Sequence, residues 1–240
     1  MKITYLILLF GVNLVLYAAY SKSGWSYRYQ SFLVALGIFV FSILLFEYLL
    51  KDFRKKIALK SVLITILIIF PMVYFLVQGI QLNIQTPVAS TNIYEQQYQM
   101  GQFLKKYYQG DGVALNDIGA SNYFADIKCV DLWGLANLEI SQKRRSGKFV
   151  TEDIRRACEK YNVKIAIVYD SWFKDGDKSE LPGEWLKAGT WTIENNVIAG
   201  DSVVSFYAVN DKELAKLSES LKDFQVQLPK GVKQNYVSSN

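Results

Sequence analysis

Three apolar runs constrain this chain more than any other feature. Residues 3–20, 32–50 and 61–80 carry a single charged side chain between them, Glu47. At 1.5 Å per helical residue each run reaches about 27–30 Å, roughly one hydrocarbon core. The expectation is a membrane domain over residues 1–81 with three transmembrane helices. Lys2 alone precedes the first run, and Tyr17-Ala18-Ala19 makes a poor small-x-small cleavage site. An uncleaved anchor and a signal peptide both place the next loop outside. Between the second and third runs lie Lys51, Arg54, Lys55, Lys56 and Lys60, whereas residues 21–31 hold only Lys22 and Arg28. The positive-inside bias makes the richer loop cytoplasmic and everything after residue 81 extracytoplasmic.

The charge balance follows the same division. Up to Ser90 there are eight Lys/Arg against two Asp/Glu; after it, 19 against 20. The excess of positive charge is membrane-proximal, so no basic nucleic-acid face is expected in the remainder. The chain has no histidine, which excludes a Ser-His-Asp triad and imidazole metal ligands. Its two cysteines, Cys129 and Cys158, are too few for a zinc site. Neither metal nor cofactor is expected.

After a linker at 82–91 the periodicity changes. Tyr94, Gln97, Tyr98, Phe103, Leu104 and Tyr107 recur at helical spacing, predicting a helix over 92–108 capped by Asn92. Short apolar runs at 113–116, 127–132 and 165–169 read as buried strands, with a helix begun by Thr151 before the third. The order strand, helix, strand predicts a mainly parallel sheet. Segments 190–194 and 203–209 read as an antiparallel hairpin at one edge, and 211–221 as a closing helix. The basic run 143–148 reads as a solvated loop. Residues 92–229 thus form a small extracytoplasmic α/β domain, followed by a polar tail at 230–240 that should fray.

Ligands in open parallel sheets gather beyond the carboxyl ends of the strands. Those ends carry Asn116, Asp117, Asp131, Trp133 and Asp170. Two readings stand for the acids: a site for a hard cation or sugar hydroxyls, and caps of the helices and turns that follow. In the outer loop, Trp25, Tyr27, Arg28 and Tyr29 sit just before the second apolar run. They form either an interfacial aromatic belt or a grip on a lipid phosphate, which a guanidinium fork suits.

The run Gly24-Trp25-x-Tyr27-Arg28-Tyr29 with Phe32-Leu33-Val34-Ala35-Leu36-Gly37 resembles the late membrane segments of bacterial GT-C type glycosyltransferases. Asn116-Asp117-Ile118-Gly119, Asp131-Leu132-Trp133-Gly134-Leu135, Ala166-Ile167-Val168-Tyr169-Asp170 and Phe206-Tyr207-Ala208 resemble the extracytoplasmic domain that ends such proteins. The resemblance implies an integral membrane enzyme of the bacterial cell envelope. Its donor would be a polyprenyl-phosphate sugar, with the lipid bilayer and a separately encoded N-terminal membrane part as partners. It also implies catalytic carboxylates in a first outer loop, which here has no Asp or Glu. The expected role is therefore the C-terminal portion of such a transferase, incomplete alone. The other role open to this sequence is a non-catalytic membrane-anchored domain that binds a partner or glycan.

Overall fold

The computed structural model describes residues 3–20, 29–47, 59–173 and 181–237, without the side chains of 59–65, 67–68 and 71–72. Two compact units emerge, Met1–Gln85 and Thr86–Asn240.

The first unit holds α1 (Ile3–Tyr20), α2 (Ser31–Leu45) and most of α3 (Leu59–Ile93). Their polar side chains bond to their own backbones: Asn13 Nδ2 donates to the Leu9 carbonyl at 2.8 Å and Ser42 Oγ to that of Ile38 at 2.7 Å. Asn13 is thus satisfied within its own helix. Among the described residues only α1 is long and apolar enough to cross a membrane. The expectation of three transmembrane helices is therefore overturned. The α-helical part of α2 covers 15 residues, about 22 Å, and residues 48–50 of the second run lie outside the described residues. The third run is not a separate span but the first part of a 35-residue helix. That helix also absorbs residues 82–91, the expected linker.

A π-turn, Tyr94–Tyr98, carries α3 into α4 (Gln99–Tyr107). Asn92, expected as a helix cap, lies inside this continuous helix. Its buried amide instead accepts from the Val197 N–H at 2.9 Å and donates to the Glu194 carbonyl at 3.3 Å. Then follow β1 (Gly112–Leu115), α5 (Gly119–Phe124), β2 (Lys128–Asp131), α6 (Leu138–Arg145), α7 (Thr151–Lys160) and β3 (Val163–Val168). A 3-10 turn, Asp170–Phe173, leads to β4 (Leu186–Ile193), β5 (Val203–Ala208), α8 (Asp211–Phe224) and β6 (Val232–Tyr236).

The six strands form one mixed sheet in the order β2-β1-β3-β5-β4-β6. β1 pairs in parallel with β2 and β3, while β3–β5, β5–β4 and β4–β6 are antiparallel. The mainly parallel sheet with an edge hairpin is thus corrected. β5 lies beside β3 in the centre, where Val204, Phe206 and Ala208 are fully buried, and most pairings are antiparallel. The expected fraying tail supplies the edge strand β6. Gln234 explains its order: its Oε1 accepts from the Trp191 indole at 2.6 Å and its Nε2 donates to the Leu221 carbonyl at 3.1 Å.

Alternation along the strands divides the core into two. Val113, Leu115, Ile165 and Ile167 face α4 and α8. There Trp191 meets Phe206 at 4.6 Å and stacks on Phe224 at 5.7 Å, with Phe103 between them. Ala114, Ala166 and Val168 face Ile140, Phe149, Ile154 and Cys158, which come from α6, α7 and the turn between them.

Removal of residues 229–240 should therefore destabilise the fold, because it strips a ladder and leaves the Trp191 N–H unpaired. A melt followed by tryptophan fluorescence is expected to show a midpoint lower by about 5 °C or more.

Candidate functional site

The strand-end residues come from elements that fix each of them differently. Asp131 ends β2 and folds back on its own loop. Its Oδ1 accepts from the Trp133 and Gly134 N–H groups at 2.9 Å each, and its Oδ2 from those of Ala136 at 2.6 Å and Asn137 at 3.1 Å. Gly134 turns through φ +83°, and a Cβ there would stand 2.6 Å from the Ser141 nitrogen, so only glycine fits. Asn137 then caps α6 by accepting from the Ile140 N–H at 3.2 Å.

Trp133 is thereby set against Trp172, ring centres 4.5 Å apart. The Arg144 guanidinium covers it at 4.0 Å and reaches the Phe149 ring at 4.4 Å. The expected solvated loop at 143–148 is corrected here. Its first three residues end α6, and Arg144 lies among aromatics, its Nε donating to the Leu132 carbonyl at 3.2 Å.

Asp117 and Asn116 serve the opposite face. Asn116 is buried and accepts from the Tyr169 N–H at 3.1 Å. Asp117 accepts from Gln97 Nε2 at 3.1 Å. The Tyr169 hydroxyl donates to Gln96 Oε1 at 2.7 Å and accepts from Gln97 Nε2 at 2.5 Å. Burial, reinforced by the Asp117 charge, pushes the Tyr169 phenol well above its ordinary range, so it stays protonated.

Asp170 engages β4 and β5. It accepts from Lys187 Nζ at 2.7 Å, Ser205 Oγ at 2.9 Å and the Tyr207 hydroxyl at 2.9 Å. The three acids are thus held in three separate networks, and among the described residues no group of three His, Cys, Asp or Glu side chains is arranged to hold a metal ion. Of the outer-loop candidates, Trp25, Tyr27 and Arg28 lie outside the described residues. Tyr29 is exposed.

What the structure adds is a cleft of about 610 Å³ beside β2, lined by Ile118 and Asn122 on one side and Arg156, Lys160 and Tyr161 on the other. Cys129 and Asp131 form its floor. Asp153 anchors one wall, binding Lys143 Nζ and Arg156 Nη2 at 2.8 Å each and the Val150 N–H at 3.1 Å. Burial works to raise its pKa, but these hydrogen bonds and charges outweigh burial and hold it below the ordinary value. The Val150 contact makes Val150, not the expected Thr151, the residue that precedes α7.

Burial pushes the Cys129 thiol up to about 12, with the Asp131 charge adding to it; Cys158 is raised to about 12 as well. Both cysteines are free and protonated at neutral pH, so neither is a ready nucleophile. Sequence reasoning missed Lys160, Arg156 and Asn122, which come from separate elements and share no motif. Gln97 was visible, since it occupied an apolar face at helical spacing.

Asp131→Ala should cost stability of about 3 kcal/mol, because four partly buried N–H groups lose a charged acceptor. Asp131→Asn should cost less, since one carbonyl oxygen still accepts. Denaturant midpoints of the two variants check the order.

A family model described as a domain of unknown function (DUF8728) matches residues 91–207, slightly less than half of the chain. The match runs from the end of α3 to the end of β5, and so includes the cleft and every strand-end residue. No curated protein and no solved structure matches the chain.

Proposed function

We propose that this chain is a membrane-anchored α/β binding domain without catalytic chemistry of its own, acting outside the cytoplasmic membrane. One observation carries the reading. Every acidic residue at a strand end is committed to internal hydrogen bonds, while the open polar cleft beside β2 is lined by side chains and strand edge. A general base must reach its substrate's proton, and a carboxylate closed over four backbone N–H groups does not.

The location rests on α1. Lys2 before an apolar 18-residue helix is the pattern of an export signal or an N-terminal anchor, and either carries the chain that follows outward. The transferase reading implied by the GT-C resemblance would need a carboxylate beside a lipid-phosphate site. No observation favours it over binding.

Photocrosslinking in cells that produce the protein tests this reading. A photoreactive residue at Leu138, exposed on the cleft wall, is expected to give discrete heavier adducts. The same residue at Val226, 88% exposed in the turn before β6 and so near the other end of the sheet, should give none. Equal patterns at the two positions, or no adduct at Leu138, would overturn it.

A further inference from the structure

We propose that α3 pairs with the α3 of a second copy of this chain, through a stripe of apolar side chains along its outer face.

The first argument is the period of the stripe. Ile66, Phe70, Val73, Val77, Ile80 and Ile84 are all exposed, Phe70 by 75% and Ile84 by 70%. They follow one another at intervals of four, three, four, three and four residues. This is the heptad of a coiled coil, with Phe70, Val77 and Ile84 at a and Ile66, Val73 and Ile80 at d. A 3.5-residue repeat drifts by about 20° per heptad around a straight helix, so a second helix that winds with the stripe can cover all of it and a flat surface cannot. The opposite face of α3 is already used. Phe75, at f, lines an apolar pocket together with Phe10 and Leu14 of α1 and Phe41 of α2. Phe75, Gln78 and Leu82 are accordingly half-buried, whereas the six stripe residues stay exposed.

The second argument is what flanks the stripe. From Ser61 to Ile93 the helix has no Asp, Glu, Lys or Arg. Charges at e and g select a different partner helix or repel an identical one, and here two identical helices meet without repulsion. The e and g positions between Val77 and Ile84 hold Gln81 and Asn83, both exposed. An amide carries donors and an acceptor, so it is complementary to its own copy. Hydrocarbon would leave such amides unpaired, which sets lipid aside as the cover of this stretch. Asn83 Nδ2 donates to the Gly79 carbonyl at 2.8 Å, and its Oδ1 is the atom available to a partner amide. Copies anchored in one membrane share a direction, so the helices run parallel and each stripe residue meets its own counterpart. For this parallel sense the inference rests on the anchoring proposed above.

The test uses the full chain in detergent, oxidised after a single substitution: Val77→Cys, Ile80→Cys or Ile84→Cys on the stripe, and Gln85→Cys beside it as the reference. The unsubstituted chain sets the background from Cys129 and Cys158. Disulfide-linked dimers are expected to form about tenfold faster at the stripe positions than at Gln85→Cys, because a shared seam holds the two thiols at high effective concentration. Ile80→Glu places a charge in the seam and should lower the mass by light scattering to that of one chain, with the tryptophan melt of the α/β domain retained. The cysteine comparison needs no such charge, so a misfolded Ile80→Glu chain leaves a decisive measurement.

Equal linkage at Gln85→Cys, no linkage above background at any stripe position, or an unchanged mass for a folded Ile80→Glu chain would each overturn the proposal. A photoreactive residue at position 80 that links in cells to lipid, or to a protein of another mass, in place of the dimer would overturn it too. These positions lie outside the cleft, so failure here leaves the Leu138 test of the binding reading untouched.

Discussion

Four backbone N–H groups converge on the Asp131 carboxylate, and the outer third of the domain is arranged around that convergence. The carboxylate itself is buried, and these four partly buried N–H groups are what compensate its charge there. With them satisfied, Gly134 can hold its left-handed turn, Asn137 can cap α6, and Trp133 is held under the Arg144 guanidinium. The carboxylate also sits at the floor of the cleft. It acts as the fixed end against which α6 and the cleft wall are built.

The same logic explains why three strand-end acids do not make one site. In a doubly wound parallel sheet the carboxyl ends of neighbouring strands open into a crevice. Here the chain fills that space itself. The π-turn brings Gln96 and Gln97 onto Tyr169 and Asp117, and Trp172 packs against Tyr169 at 5.4 Å. Gly200 lies so close that a Cβ would stand 2.6 Å from Trp172 and 2.7 Å from Tyr169. On the other face, the antiparallel arrival of β5 and β4 delivers Ser205, Tyr207 and Lys187 to Asp170. Such networks are high-stakes when buried, and filling the crevice moves open space to the sheet edge.

Local pattern made some of this legible. β1, β2 and β3 fall within a residue or two of their apolar runs, because a strand buried on both faces needs continuous hydrophobicity whatever its neighbours. The reading of the acids as caps was open from the start, since Asp satisfies loop N–H groups well, and Asp131 does so. Strand order was not legible. β5 carries the same alternation whether it pairs at an edge or beside β3, and β6 reads as polar because an outer strand with one solvated side needs few apolar residues. The break at 82–91 was legible as a boundary, since the two units divide after Gln85, but not in its form. Pro87 and Ser90 are turn residues in isolation, yet α3 runs through both, with the Thr91 hydroxyl bonded back to the Pro87 carbonyl at 3.0 Å. Arg144 shows the limit from the other direction. A basic run reads as solvated until its aromatic partners, Trp133, Phe149 and Phe173, arrive from three places in the chain.

The two ends of the sheet are treated differently. At β6 the edge strand is short and largely polar, with Gln234 turned inward onto Trp191 and Leu221 and Lys233 bridged to Glu194. Charged side chains and short length are the usual protections against unwanted pairing. At β2 the strand is shorter still, but its outward groups border a walled space. An edge protected at one end of a sheet and left accessible at the other is asymmetric in the property that governs strand recruitment.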